Sequence, residues 1–564
     1  MISRKSNTIF ILAAFLFSVL ILNGCQSAET VNVTNQNSTE DDANSASFSV
    51  PEPDINLANP LVVSQKPEDV ALCNNIKQKI DASLYANARW GVFAVSLKDG
   101  RVVCSLDGRK LFNPASIQKT LTAIVALDKL GADYRWRTEV YAERAIDADG
   151  NLNGDLTLYG AGAPDFDSAA MENLITQLQA KGLRRVKGNI VGDQSYFRGD
   201  NIGDGWTWNE LQWWYGAEAS ALTFNDNQAF VNIENGTGRV STDYLNVKVG
   251  KPTPISSNSN SIPNYEAGGI KRGLEDNNFY VWGNTKSFGA RVAVSNPAGL
   301  AAKNFKEALE KKGIVVEGAL QTRDWKSENQ IDPANSALLA SVESKTLGEI
   351  VRKMNKNSVN LYAELILRTI GKKFGNEVPD GIQIPQNVRG DDIAGAAIVK
   401  KWLLEHHIAA GEVEVHDGSG LSRLDFVTPE SFAKAFIFAA QSPYAQIFTD
   451  SLPVAATDGT LGGRLGKVKG KVLAKTGTIT FVNSLAGYVQ NESGEVLTFA
   501  VITNNDTRKN GAVSMIDVIT TMLVTGKDEK DLKDSANQNT ANKNSNANSN
   551  ANKPNFVIEQ QGKK

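Results

Sequence analysis

Apolar positions change period several times along the chain, and the changes mark its elements. Residues 91–97 and 101–104 are nearly continuous apolar runs on either side of Lys98-Asp99-Gly100. They predict a β-hairpin closed by an Asp-Gly turn. Over 113–130 the period becomes helical, with Ile117, Leu121, Ile124, Val125 and Leu130 on one stripe. Asn113 suits the N-cap, Pro114 the first helical position and Gly131 the C′ position. From about Arg137 to Asn335 the pattern is strand-rich, with turns at Asp149-Gly150-Asn151, Asn153-Gly154-Asp155 and Gly188-Asn189. One helix, 168–181 with Gly182 as its C-cap, interrupts it. Helical period returns from about Ser336. Thr346 and Glu349 form a capping box for a helix to Met354. Further helices are expected over 359–370, 393–405, 429–440 and 514–525. Residues 472–479 read as a strand at a sheet edge. Runs 485–489 and 496–503 flank Asn491-Glu492-Ser493-Gly494 as a hairpin whose continuous apolarity predicts cover on both faces.

The ends have a different texture. Residues 26–60 are rich in Ser, Asn, Thr, Asp and Pro and read as a disordered tether, with order expected from about Val70. Residues 535–555 are almost entirely Asn, Ser, Ala and Lys, a low-complexity tail. Arg4 and Lys5 precede an apolar run over 9–22 that is short for a membrane span. It ends in Leu22-Asn23-Gly24-Cys25, which resembles a bacterial lipobox and implies cleavage before Cys25 and lipidation of its thiol. An ordinary secretory cleavage is the alternative. Both readings export the protein.

Composition narrows the function classes. The 564 residues are 41% hydrophobic and 21% charged with a net charge of −3, which gives no electrostatic basis for binding nucleic acid. The three histidines, His406, His407 and His416, lie outside any H-E-x-x-H motif, and the cysteines lack zinc spacing. No metal or cofactor is expected. In an oxidising compartment Cys73 and Cys104 can close a loop, a bond worth on the order of 3 kcal/mol. They can equally be two separate buried thiols. Residues 205–215 hold four of the nine tryptophans, read as packing between subdomains rather than as a carbohydrate platform.

Candidate chemistry begins on the 113–130 helix. Ser116 and Lys119 are three residues apart and share a face, so the lysine can take the serine's proton. Ser431 and Lys434 repeat the spacing, but Ser431 falls in the first turn of its helix, where capping explains it. Two later motifs join the first: Ser358-Val359-Asn360, between two helices, and Lys475-Thr476-Gly477-Thr478, on a strand edge.

This set, in this order, resembles the serine penicillin-recognising enzymes, whose signature is S-x-x-K, S-D-N and K-T-G. Roughly 240 residues separate Ser116 from Ser358, which implies a large insertion within the motif set. That spacing resembles peptidase family S13, the D-alanyl-D-alanine carboxypeptidase/endopeptidases of low-molecular-mass class C, or penicillin-binding protein 4 type. Asp417-Gly-Ser-Gly-Leu-Ser-Arg423, Gly459-Thr-Leu461 with Arg464, Ser484-Leu-Ala-Gly-Tyr488, Gly205-Trp206 and Ser220-Ala-Leu-Thr-Phe-Asn225 strengthen the likeness. The resemblance implies an α/β (α+β) fold. Its catalytic domain would be transpeptidase-like, with a central antiparallel sheet flanked by helices, split by two nested β-rich inserts. The divisions expected are a signal peptide over 1–25, a tether over 26–68 and a catalytic domain over 69–136 and 336–527. An insert domain over 137–159 and 230–335 and a nested insert over 160–229 follow, with a tail over 528–564.

The resemblance also implies roles. Ser116 is the nucleophile towards a terminal D-Ala-D-Ala bond, and Lys119 its base once burial and Lys475 lower its proton affinity. Lys475 keeps its charge and attracts the substrate carboxylate, which Thr476 and Thr478 also bind. Ser358 relays a proton to the leaving group. Asn360 orients Lys119, and Gly477 leaves room for substrate. Peptidoglycan stem peptides, β-lactam antibiotics and a membrane reached through lipidated Cys25 are the implied partners. A β-lactamase or esterase on the same site, and a non-catalytic wall-binding lipoprotein, are the competing readings.

Overall fold

The computed structural model describes residues 48–234, 237–250, 269–282, 287–377, 390–508 and 511–527. Its organising element is a five-stranded, wholly antiparallel sheet. The order is Val472–Ile479, Val482–Gln490, Val496–Asn504, Arg89–Ser96, Val102–Leu106. Residues from both ends of the chain therefore lie side by side, with Val92 opposite Val501. The hairpin expected around Asp99-Gly100 forms, and Gly100 takes the positive φ of 72° that its turn requires.

Continuous apolarity in these strands has the cause expected of it. Val92, Leu485, Phe499 and Val501 face one core, with Ile516, Ile519 and Leu523 of the helix Val513–Thr525. Phe93, Ala486, Ala500 and Ile502 face the other, with Leu121, Ile124 and Phe436 of the helices Gln118–Leu130 and Pro429–Gln441. Side chains alternate between faces, so burial on both sides demands an apolar residue at every position. Cys73 and Cys104 are joined as a disulfide, which ties the helix Pro67–Asp81 to the strand Val102–Leu106.

The expected tether boundary is corrected. Residues 48–66 pack on the domain: Phe48, Leu57 and Leu61 are buried, and Val62 and Ser64 bond the backbone of Val102. Few apolar residues suffice there, because the core they dock on already exists. Residues 26–47, the 9–22 run, Cys25 and the 528–564 tail lie outside the described residues.

The chain between Arg137 and Glu343 builds the remaining sheets. The largest runs Leu320–Arg323, Ile190–Asp193, Leu156–Gly160, Arg137–Ala142, Ala337–Glu343. Its first two pairings are parallel and the others antiparallel. Helices Pro297–Lys311 and Ser168–Ala180 pack against it. Two three-stranded sheets use only strands between Gln228 and Ala293. The nesting expected from sequence therefore differs from the strand grouping. Ile190–Asp193, expected in a nested insert over 160–229, pairs directly with Leu156–Gly160 and Leu320–Arg323. Ala337–Glu343, expected in the catalytic part, pairs with Arg137–Ala142. Turn residues mark where strands end, whereas partners are chosen by crossover connections, here parallel ones through helices.

Candidate active site

The site assembles at the N-terminal end of the helix Gln118–Leu130. The local geometry differs from the expected cap. Ala115–Ile117 forms a 3-10 turn ahead of the helix, and Ala115 takes a left-handed φ of 51°. Asn113 holds this turn rather than capping the helix. Its Oδ1 accepts from the Ala115 amide at 3.2 Å, and its Nδ2 donates to the carbonyls of Ser422 and Asp425. The loop after Asp417 makes room for it: a Cβ on Gly420, at φ 77°, would fall 1.9 Å from the Ala115 carbonyl oxygen. Ser116 thus sits on a strained turn held by its surroundings, the usual setting of a functional residue.

Lys119 is fully buried. Its Nζ donates to Ser116 Oγ at 2.9 Å, to Asn360 Oδ1 at 2.6 Å and to the Ser419 carbonyl at 2.6 Å. Asn360 begins the helix Asn360–Phe374, and Ser358, at φ 57°, ends the helix Leu347–Asn357. This left-handed corner turns the Ser358 hydroxyl towards Lys475, whose Nζ donates to it at 2.8 Å and to the Thr476 carbonyl at 2.7 Å. Lys475, Thr476, Gly477 and Thr478 lie on the edge strand of the central sheet. Gly477 is packed against the serine turn: a Cβ there would meet Ser484 Oγ at 2.2 Å and the Ser116 amide nitrogen at 2.9 Å. Thr476 Oγ1 pairs with Thr460 Oγ1 at 2.7 Å, and the exposed Thr478 accepts from Asn483 Nδ2 at 3.2 Å.

All eight predicted motif residues therefore meet at one place. Ser431 and Lys434 do not join them: the Ser431 amide donates to the capping Thr428, and Lys434 pairs with Glu430. His406 stacks on Trp402, and His416 bonds Asp204.

Two features were not expected. A buried acidic group, Asp417, Glu364 and Asp425, lies around Lys119. Asp417 ties its loop through the amides of Ser419, Gly420, Leu421 and Ser422. The tryptophan-rich segment of the insert also reaches the site. Trp206 Nε1 donates to Asp417 Oδ2 at 2.8 Å, and the Tyr215 carbonyl accepts from Asn360 Nδ2 at 2.8 Å. The sequence signals were an Asp-Gly-Ser-Gly loop and an aromatic cluster, but neither indicates its partner.

The charges are arranged unevenly. Burial pushes the Lys119 amine down to about 7, against the opposing pull of Asp417, Glu364 and Asp425. Burial, and then the Lys119 charge, pushes Lys475 well below the ordinary lysine range. Two buried lysine amines lie close together, and among the described residues the carboxyl groups act on Lys119. Burial, helped by Asp417, also raises Glu364 to about 8, and burial raises Asp425 likewise.

Comparison with known proteins matches this geometry to one family. The model of the D-Ala-D-Ala carboxypeptidase 3 (S13) family matches residues 72–523. A D-alanyl-D-alanine carboxypeptidase of Actinomadura sp. (strain R39) is 30% identical over 461 residues, 77% of this chain and 82% of that protein. The D-alanyl-D-alanine carboxypeptidase DacB of Haemophilus influenzae is 27% identical over 428 residues, 73% and 85% of the two chains. The crystal structure of penicillin binding protein 4 (dacB) from Haemophilus influenzae superposes with a TM-score of 0.66 at 24% identity. It covers 80% of this chain and 99% of that one. The chain belongs to the D-Ala-D-Ala carboxypeptidase S13 family of serine peptidases.

Proposed function

We propose that this protein hydrolyses the terminal D-Ala-D-Ala bond of peptidoglycan stem peptides through an acyl-enzyme on Ser116. One observation carries the reading: the buried Lys119 Nζ lies 2.9 Å from Ser116 Oγ with its other two directions fixed on the Asn360 and Ser419 oxygens. A neutral amine keeps two N–H donors, and those two oxygens accept both. The lone pair then points at the Ser116 hydroxyl and can take its proton during attack. Backbone N–H groups of Ser116 and Thr478, brought together by the close approach of Gly477, suit the developing oxyanion; each such donor is worth about 3 kcal/mol.

Lys475 couples binding to this step. A substrate carboxylate beside it favours its charged form, and that charge disfavours a proton on Lys119. Binding thereby turns Lys119 into the base. Ser358, hydrogen-bonded to Lys475, can pass a proton to the leaving D-alanine nitrogen, and water then releases the acyl group. Penicillins, which also carry a carboxylate and an acylating carbonyl, would block Ser116 by the same route. The Haemophilus influenzae relative has been crystallised with a β-lactam. Cleavage of D-Ala-diamino acid cross-links, export and lipid anchoring through Cys25 complete the proposal.

Purified protein should release D-alanine from a D-Ala-D-Ala peptide and gain the mass of one penicillin on Ser116, and Ser116→Ala should do neither. Absence of both overturns the reading. Rapid penicillin turnover without an adduct would indicate a β-lactamase instead, and wall binding indifferent to Ser116→Ala and Lys475→Ala a binding protein. Digested cell wall that yields monomers from cross-linked dimers would establish endopeptidase action. Lipid found on the wild type but not on Cys25→Ser would establish the anchor.

A further inference from the structure

The insert does more than lie beside the site. Its segment from Asp204 to Tyr215 is fastened to the catalytic domain by hydrogen bonds and by an ion pair of Glu210 with Arg423. Asp204 Oδ2 lies 2.7 Å from His416 Nδ1, and the Gly205 carbonyl accepts from the Arg423 amide at 3.2 Å. Trp206 Nε1 donates to Asp417 Oδ2 at 2.8 Å, and the Tyr215 carbonyl accepts from Asn360 Nδ2 at 2.8 Å. Two of these bonds hold the partners of Lys119 from behind. Asn360 receives one Lys119 N–H, and the loop tied by Asp417 presents the Ser419 carbonyl that receives another.

We propose that Trp206 is a positioning residue of the peptidase reaction, which sets the proton affinity of Lys119 through Asp417. This rests on the reading of Ser116 as nucleophile and Lys119 as base. Asp417 accepts six hydrogen bonds, from Trp206 Nε1, Ser419 Oγ and the amides of Ser419, Gly420, Leu421 and Ser422. Five remain when Trp206 is replaced, so the loop keeps its own ties to Asp417. The Asp417 charge, however, loses the one donor that comes from the insert. Less of that charge is neutralised locally, and more of it acts on Lys119. The other groups facing Lys119 are Glu364 on the Asn360–Phe374 helix, Asp425 on the same loop as Asp417, and Lys475 on the edge strand. None of them touches Trp206. The ring of Trp206 also packs with Tyr215 against Ala115, Leu421, Ile479 and Val482, next to Ser116.

The test is the pH profile of Ser116 acylation by a fluorescent penicillin, for wild type, Trp206→Phe and Asp204→Asn. Trp206→Phe keeps an aromatic ring and removes the donor. Its acylation midpoint should move up by about half a pH unit to one unit, so that the rate near pH 6 falls three- to tenfold and recovers at pH 9. Asp204→Asn, which loosens the same segment without touching Asp417, should leave the midpoint in place. A ring that only contacted substrate, or only held the fold, would lower the rate by one factor at every pH. Coincident midpoints for wild type and Trp206→Phe therefore overturn the inference, with or without a uniform loss of rate. Wild type that is never labelled on Ser116 overturns the underlying reading as well, so the two failures are distinguishable.

Discussion

Lys119 occupies a place where a lysine is costly, and the costs explain its chemistry. Removing an ammonium from water disfavours its charged form, and with the opposing pull of Asp417, Glu364 and Asp425 its proton affinity settles at about 7. On the proposed mechanism the reactive form is the deprotonated one, so acylation should rise with pH and level off above the Lys119 midpoint. Below it the rate should fall about tenfold per pH unit. Rates of penicillin labelling from pH 5 to 9 check this, and a midpoint near the ordinary lysine value would exclude Lys119 as the base. Gly477 carries a steric prediction. A Cβ 2.9 Å from the Ser116 nitrogen and 2.2 Å from Ser484 Oγ must push the serine turn away from the strand. Overpacking of this kind costs about 1–3 kcal/mol. Gly477→Ala should lose about 10- to 100-fold in acylation rate and lower the melting temperature as well.

At the scale of elements, a clamp joins the turns beside the neighbouring strands Arg89–Ser96 and Val496–Asn504 of the central sheet. Arg101, after the hairpin turn, makes a bidentate pair with Glu495, at 2.6 and 2.9 Å, and its Nε donates to Asp69 at 2.9 Å. Ser96 Oγ donates to the same Glu495 carboxylate at 2.6 Å. The Arg101 guanidinium and this hydroxyl hold Glu495 below its ordinary carboxylate range. A carboxyl lowered on folding contributes stability above its unfolded value, near 4.3, and loses it as pH falls through the folded one. Arg101→Ala should cost about 2 kcal/mol at neutral pH, read by urea denaturation. The difference from wild type should shrink below about pH 4. A constant difference down to pH 3 would mean that packing, not charge, accounts for it.

Over the whole molecule, Cys73–Cys104 joins the first described helix to the sheet across 31 positions. Closing a loop of that length should contribute on the order of 3 kcal/mol, mostly by restricting the unfolded chain. Replacing both cysteines with serine should therefore lower the melting temperature by several degrees. Penicillin labelling at 25 °C should be unaffected, because neither cysteine contacts the cleft. Equal melting temperatures with and without reductant would show that the bond contributes nothing.

The sequence by itself determined whatever depends on neighbours along the chain. Ser116 and Lys119 share a face because three residues make nearly one helical turn. Thr346 and Glu349 close a capping box because both ends of it lie within one turn. Continuous apolar runs revealed strands covered on two faces. The motif set was also legible, since its members lie at turns and edges with their own local signatures. Only the tertiary structure decided which distant groups meet. It placed Lys475 against Ser358 and drew Asp417, Glu364 and Asp425 around Lys119. It docked residues 48–66 on a core their own composition could not supply. It paired Ile190–Asp193 with strands on both sides of an expected boundary, and brought Trp206 and Tyr215 from the insert to the site. Local spacing follows from fixed helical and strand periods, whereas these meetings follow from packing and burial, which no short stretch of sequence specifies.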